Sequence, residues 1–295
     1  MAALKTKRPQ PPGRGHNPEK NRVNEAERLI SQGQTRLARG DDRAALRLFD
    51  RALALKPDDP DWLRQRAAAL TRLQQFELAL RDLDRAAALR GDDPQIYDAR
   101  GQLLTLAGRA EAALDDFRRA LDLAPTADRH YHYGLTLSRL GRPGEALPHL
   151  ERAVALEPRY VAAITERGAV RLAVGRLELA REDFDAALRV DPTYHVAWRQ
   201  RAAYHYCRRE WDEAAATATR AIELSPADAP AYKLRALAAK ELGRVVEALA
   251  DLERYFVLEP DQADRKRLRA THKQLLRATR TRAKWDWLAK LFGKG

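Results

Sequence analysis

The chain has 295 residues and a formal net charge of +12, and it is written mainly in Ala, Leu and Arg, with serine confined to Ser31, Ser138 and Ser225 and asparagine to Asn17, Asn21 and Asn24. That is a helix former's alphabet; its one cysteine, Cys207, excludes an intramolecular disulfide and a Cys-based zinc site, and no apolar run approaches the about 18 residues of a membrane-spanning helix. The charge sits at the ends: residues 1–24 carry six basic and one acidic side chain and residues 261–295 carry eleven and three, which leaves 25–260 at −1.

In chain order, residues 1–24 come first, with Pro9, Pro11, Pro12, Gly13 and Gly15 where a signal peptide would place its apolar stretch. The composition predicts a disordered basic tail and, together with the lone cysteine, a cytoplasmic protein. From residue 25 a period takes over. Prolines recur at 57, 125, 158, 192, 226 and 260, spaced by 34 except for one interval of 33, and the empty slot holds Gly91. With these at position 32 of a 34-residue unit, position 8 is Gly33, Ala67, Gly101, Gly134, Gly168, Ala202 and Ala236. Position 20 is alanine throughout, at 45, 79, 113, 146, 180, 214 and 248. Small residues at both positions let two antiparallel helices approach closely. The larger side chains of position 24 (Phe49, Leu83, Phe117, Leu150, Phe184, Ala218, Leu252) fill the space between them. Position 15 holds Gly40, Gly108, Gly141, Gly175 and Gly243, suited to the left-handed residue that ends a helix.

Each unit therefore reads as helix, tight turn, helix, proline-marked exit. The third unit carries Tyr97, Arg100, Gly101, Leu104, Ala113, Phe117 and Pro125, and this pattern resembles the tetratricopeptide repeat family. The resemblance covers residues 25–262 in seven units. It implies an all-α fold, a right-handed α-solenoid of about seven helix-turn-helix repeats closed by a C-terminal capping helix.

Within the array, position 7 is Arg66, Arg100, Arg167, Arg201 and Arg235, and position 23 is Asp82, Asp116, Asp183 and Asp251 in four of the same units. Where position 7 is Gln32 or Tyr133, position 23 is Leu48 or His149. The two change together, as a helix-to-helix ion pair inside each repeat requires; ligand binding is the alternative role for these arginines. Arg201 faces Thr217 and is expected to be unpaired. Pro148, inside the second helix of the fourth repeat, is expected to bend or delay that helix and mark a hinge. Cys207 is expected to be a buried or half-buried small side chain. Tyr255 replaces the small residue of position 27, which predicts a different packing of the last repeat against the segment C-terminal to it.

No phosphate-binding glycine loop, zinc helix or nucleophile elbow is present. His130 and His132 point in different directions on a helix and cannot share a metal without other ligands. Catalytic, cofactor-binding and metal-ligating residues, cofactors and a small-molecule substrate are accordingly not expected, and the chain reads as a non-enzyme.

In the family it resembles, the first helices line a concave groove. Carried over position by position, that groove here contains Arg64, Arg72, Asp98, Gln102, Tyr131, Arg139, Thr165, Arg199, Tyr206 and Lys233. Tyr and Arg are frequent at binding hot spots, and a solvated helix face is the alternative reading of each position. With no Asn in the repeats, neither the carboxylate clamp nor the asparagine ladder of some family members is matched.

Residues 263–281, with Leu268, Leu275 and Leu276 among many basic residues, are expected to form the capping helix. In the last segment, 282–295, about 100° per residue places Trp285, Trp287, Leu288, Leu291 and Phe292 on one arc. This amphipathic helix either folds back to finish the cap or meets an external partner or an anionic membrane. The function expected is a scaffold or adaptor that holds a protein or peptide segment in the groove. The alternative is a tether that attaches to an anionic membrane surface or RNA through its basic tails, which would place it at the periphery of a membrane.

Overall fold

The computed structural model describes residues 18–259, 265–266 and 268–277. The chain divides into two compact units at Ala124/Pro125. Unit 1 holds α1 (Pro18–Ala38), α2 (Asp42–Leu55), α3 (Pro60–Arg72), α4 (Phe76–Leu89), α5 (Pro94–Leu106) and α6 (Ala110–Leu123). Unit 2 holds α7 (Ala127–Arg139), α8 (Pro143–Leu156), α9 (Val161–Ala173), α10 (Leu177–Val190), α11 (His195–Cys207), α12 (Trp211–Leu224), α13 (Ala229–Glu241) and α14 (Val245–Leu258). A further helical stretch covers 268–277, and the described residues contain no strand. The molecule is an all-α repeat solenoid: seven helical hairpins, three in unit 1 and four in unit 2.

Local chemistry sets the ends of these helices. Pro60 and Pro94 occupy the first turns of α3 and α5, where a missing N–H costs nothing, and the carboxylates of Asp59 and Asp93 accept from the free backbone N–H groups there. The first helices end in a left-handed residue, Gly40, Gly108, Gly141, Gly175 or Gly243, at φ of 72–83°. Repeats two and six place Gln74 (φ 59°) and Arg209 (φ 62°) in the same conformation. The boundary expected at residue 24 moves, because α1 begins at Pro18. Proline at the first position and Glu19 in the first turn both favour a helix start there. Residues 1–17 lie outside the described residues.

The core is the seam between the two helices of each hairpin. All seven position-20 alanines are 0% exposed, and Phe49, Phe117 and Phe184 are at most 1% exposed. A Cβ on Gly101 would lie 2.9 Å from the Phe117 ring, and one on Gly168 would lie 2.6 Å from Phe184. Glycine is what lets those rings reach the opposite helix.

The Arg–Asp pairs form as forks. Arg66 Nε and Nη2 donate to Asp82 at 2.7 and 2.6 Å, and Arg100 does the same to Asp116 at 2.8 and 2.6 Å. Arg167 and Asp183 pair at 3.1 and 2.6 Å, Arg235 and Asp251 at 2.8 and 2.7 Å. The third nitrogen reaches back one repeat: Arg66 Nη1 donates to Asp50 at 3.0 Å, Arg100 Nη1 to Asp84 at 2.7 Å and Arg235 Nη1 to Thr219 at 3.1 Å. Arg201 is not unpaired, since its Nη1 lies 3.3 Å from Asp185 by this same backward link. One guanidinium thus ties two helices of a repeat and two successive repeats, which its planar set of donors permits.

Pro148 does not delay its helix. α8 starts at Pro143 and runs 14 residues, as every other second helix does. Proline costs one backbone hydrogen bond near the helix start, and the hairpin seam, with Ala146 and Leu150 buried, holds the helix together. The unit boundary lies earlier, at Ala124/Pro125. At the other end, Tyr255 is buried in one cluster with Ala248, Leu252, Leu268 and Leu275, so residues 268–277 cover the last hairpin. The rest of the expected cap and the segment with Trp285, Trp287, Leu288, Leu291 and Phe292 lie outside the described residues.

Candidate functional site

First helices of unit 1, with Leu83 of α4 at the base, line a half-open hollow of about 310 Å³. Leu37, Ala68, Ala99, Leu103 and Leu106 give it apolar walls, and Gln34, Arg64, Gln65, Arg72 and Gln102 rim it. Arg64, Arg72 and Gln102 stand where position in the repeat puts them, whereas Asp98 is on α5 but does not line the cavity. Arg72 is held in place: its Nη1 donates to the Leu37 carbonyl at 2.7 Å and its Nε lies 2.9 Å from Asp42. Arg64 is held loosely, 3.6 Å from Asp61. Leu106 is 63% exposed, an apolar side chain at the cavity edge whose burial would be favourable by about 25 cal/mol per Å².

In unit 2, the ring of Tyr131 (α7) meets that of Tyr160, just before α9, with centroids 5.1 Å apart and planes tilted by 50°, and the Tyr160 hydroxyl donates to Asp128 at 2.7 Å. His132 and that contact hold the Asp128 carboxyl down at about 2. Burial pushes the Tyr131 phenol up to about 12, with Tyr194 and Glu166 adding to it. Glu166 is a residue that repeat position does not suggest. Ser138 donates to it at 2.8 Å, and burial pushes its carboxyl above the ordinary value although Arg139 and Arg199 pull the other way. Arg199 is committed elsewhere, donating to both oxygens of Asp228 at 3.1 Å. Asp228, 5% exposed, also accepts from the Ala231 N–H and contacts His195 Nδ1 at 2.9 Å.

Thr165 departs from the groove expectation. It is 2% exposed, and its hydroxyl donates to the Val161 carbonyl one turn back. Tyr206 packs edge-on to Trp211 at 5.1 Å, Lys233 sits on α13, and Arg139 is exposed. Cys207 is exposed as the last residue of α11, not buried. The histidines also pair differently from their sequence proximity: His130 Nδ1 faces His149 Nδ1 at 3.3 Å, and His132 lies 3.5 Å from Asp128. Among the described residues, no three His, Cys, Asp or Glu side chains gather as a metal site, and no helix is long and apolar enough to cross a membrane.

Larger hollows lie between successive second helices. The cavity of about 660 Å³ between α12 and α14 is opened by Ala215, Ala239 and Ala250. Its charged rim is already satisfied internally, with Arg244–Asp212 and Arg235–Asp251 both at 2.7 Å. The first-helix cavity, smaller but apolar inside and polar at its rim, is the better receptor for a ligand.

Family models described as tetratricopeptide repeat match residues 34–104, 94–126 and 134–195, together just over half of the chain. No curated protein matches it. Among solved structures, YrrB, described as a tetratricopeptide repeat protein with an unusual peptide-binding site, is 26% identical, with 65% of this chain and 97% of that one covered and a TM-score of 0.51. A tetratricopeptide repeat protein from Parabacteroides merdae is 19% identical over 86% of this chain and 99% of that one, with a TM-score of 0.73. The pilF protein of Pseudomonas aeruginosa is 18% identical over 73% and 99%, with a TM-score of 0.63. At such identities the last two bear on the fold alone.

Proposed function

The chain belongs to the tetratricopeptide repeat family, and from that premise we propose that it is a non-catalytic, cytoplasmic adaptor that holds an extended protein segment on the first-helix side of its repeats. Proteins of this fold are generally protein-interaction scaffolds, and YrrB is described as having a peptide-binding site. The observation that carries the reading is the cavity on α1, α3 and α5. Its about 310 Å³ lies at the small end of ligand pockets, which run from about 300 to 1,000 Å³. That volume suits one apolar side chain of a partner, with Gln34, Arg64 and Gln102 at the rim to meet its backbone.

The test is capture of partners by the full chain, by an Ala68→Trp variant that fills the unit 1 cavity, and by Arg139→Glu in unit 2. Ala68 is exposed, so a larger side chain there blocks the cavity without entering the hairpin core. Partners that wild type retains and Ala68→Trp releases support the reading; partners retained equally by all three contradict it. Segregation of positive charge to residues 1–24 and 261–295 favours the second reading, a tether to an anionic membrane surface or RNA. Binding that collapses with added salt, as phosphate neutralisation demands, and ignores both substitutions selects the tether.

A further inference from the structure

Glu166 is a mostly buried carboxylate for which one neutral hydrogen bond is evident, from the Ser138 hydroxyl at 2.8 Å. Around it are three tyrosines: Tyr194, packed in one cluster with Ile164, two residues before Glu166 on α9; Tyr131, on the same helix as Ser138, whose phenol Glu166 helps to push up; and Tyr160, whose ring meets that of Tyr131 at 5.1 Å, tilted by 50°. The tyrosines come from two sources in the repeat. Tyr131 projects from the second turn of α7, while Tyr160 and Tyr194 are the residues immediately before α9 and α11. All of them therefore lie on the first-helix side of unit 2.

The local charge balance decides what the cluster can take. Arg199 and Asp228 cancel each other through two contacts of 3.1 Å. Asp128 stays ionised beside the Tyr160 hydroxyl. That leaves the carboxylates of Glu166 and Asp128, with Asp191 acting on Tyr194 and Glu157 on Tyr160, against the guanidinium groups of Arg139 and Arg129, a slight negative excess framed by aromatic rings. Aromatic faces attract cations through their quadrupole, and a carboxylate removed from water is costly until an ionised donor reaches it.

We propose that Tyr131, Tyr160, Tyr194 and Glu166 form a subsite for a basic side chain, a lysine or arginine of the bound protein segment, with its cationic head donating to Glu166 and its stem lying along the tyrosine rings. This rests on the reading of the first-helix side as the binding face, and it adds the chemistry of one partner residue. A structural role for Glu166, as a simple brace between α7 and α9 through Ser138, is the competing account.

The probes are acetylated and amidated alanine pentapeptides with lysine, arginine, glutamate or leucine at the centre, titrated into the full chain while tyrosine ring resonances are followed. Lysine and arginine peptides should shift the rings of Tyr131 and Tyr194 and bind at least about tenfold more tightly than the glutamate peptide, the scale of a charge-assisted hydrogen bond. Glu166→Gln keeps the shape and the Ser138 contact, and it should erase that preference with the melting temperature unchanged. Tyr194→Leu should weaken both basic peptides while sparing Glu166. Equal binding of all four peptides, a preference for the glutamate peptide, or an undiminished lysine preference in Glu166→Gln would overturn the subsite. Failure here with partner release by Ala68→Trp intact removes the subsite and leaves the first-helix reading standing. Capture that ignores every substitution removes both.

Discussion

A carboxylate as enclosed as Asp116, 5% exposed, is stable in its charged form because Arg100 grips both of its oxygens. Deleting the arginine alone strands that charge. Arg100→Leu should therefore cost about 2–3 kcal/mol in urea unfolding, somewhat under the about 3–5 kcal/mol of a fully buried pair because Arg100 keeps part of its side chain in water. The double replacement Arg100→Leu with Asp116→Leu should recover most of the loss; a double variant as unstable as the single one would contradict the fork account. These forks are legible because the chain supplies its own comparison, with positions 7 and 23 changing together from repeat to repeat. The backward link to Asp50, Asp84 and Asp185 is hidden from that comparison because it joins different repeats, and the expectation of an unpaired Arg201 fails for that reason. The fourth repeat replaces the fork with Tyr133, His149 and His130. Burial, and for His130 the charges of His149 and Arg152, hold both imidazoles below their usual range. An unfolded chain takes up protons as pH falls through about 6.5, before the folded imidazoles do. Stability from this pair is complete above that value and declines below it. Melting temperature should fall as pH drops below about 6.5, with a shallower fall in His149→Phe; parallel curves would contradict it.

At the scale of the element, helix ends are readable where the residue itself dictates geometry. Glycines 40, 108, 141, 175 and 243 are expected in the left-handed region and are found there. Gln74 and Arg209 fill the same slot without being glycine, and a side chain in that conformation costs about 1–2 kcal/mol. Glycine gives back about 0.5–1 kcal/mol by loosening the unfolded chain. Gln74→Gly and Arg209→Gly should each raise stability by about 0.5–1 kcal/mol by this difference, read as a higher melting temperature. A fall in either would show that the turn needs the side chain. Which way individual side chains turn is not readable from the repeat. Thr165 occupies a family groove position, yet its hydroxyl is spent on the Val161 carbonyl, while its neighbour Glu166 reaches Ser138 on the adjacent first helix. Such choices depend on neighbours in three dimensions, and a repeat pattern averages over them. Pro148 leaves the start and length of α8 unchanged for the same reason, since the packed seam holds the helix despite one lost backbone bond.

At the scale of the whole molecule, the chain divides at Ala124/Pro125. There the residue types of the backward link are missing from the pattern: Arg118 and Tyr133 hold the positions that are Asp and Arg in repeats two and three. Seven repeats are legible from spacing alone; two compact units are not, because the period continues through the boundary with only one residue lost. The first-helix face of unit 1 is where the proposed function is concentrated, and its test can be made in the full chain. A benzophenone amino acid placed at Leu106, which is 63% exposed at the cavity edge, should cross-link to the captured partner on illumination. The same probe at Val257, 75% exposed on α14, serves as the comparison. The account predicts partner adducts from position 106 that vanish when Ala68→Trp is added. Adducts from position 257 alone, or adducts from 106 that persist after the cavity is filled, would contradict it.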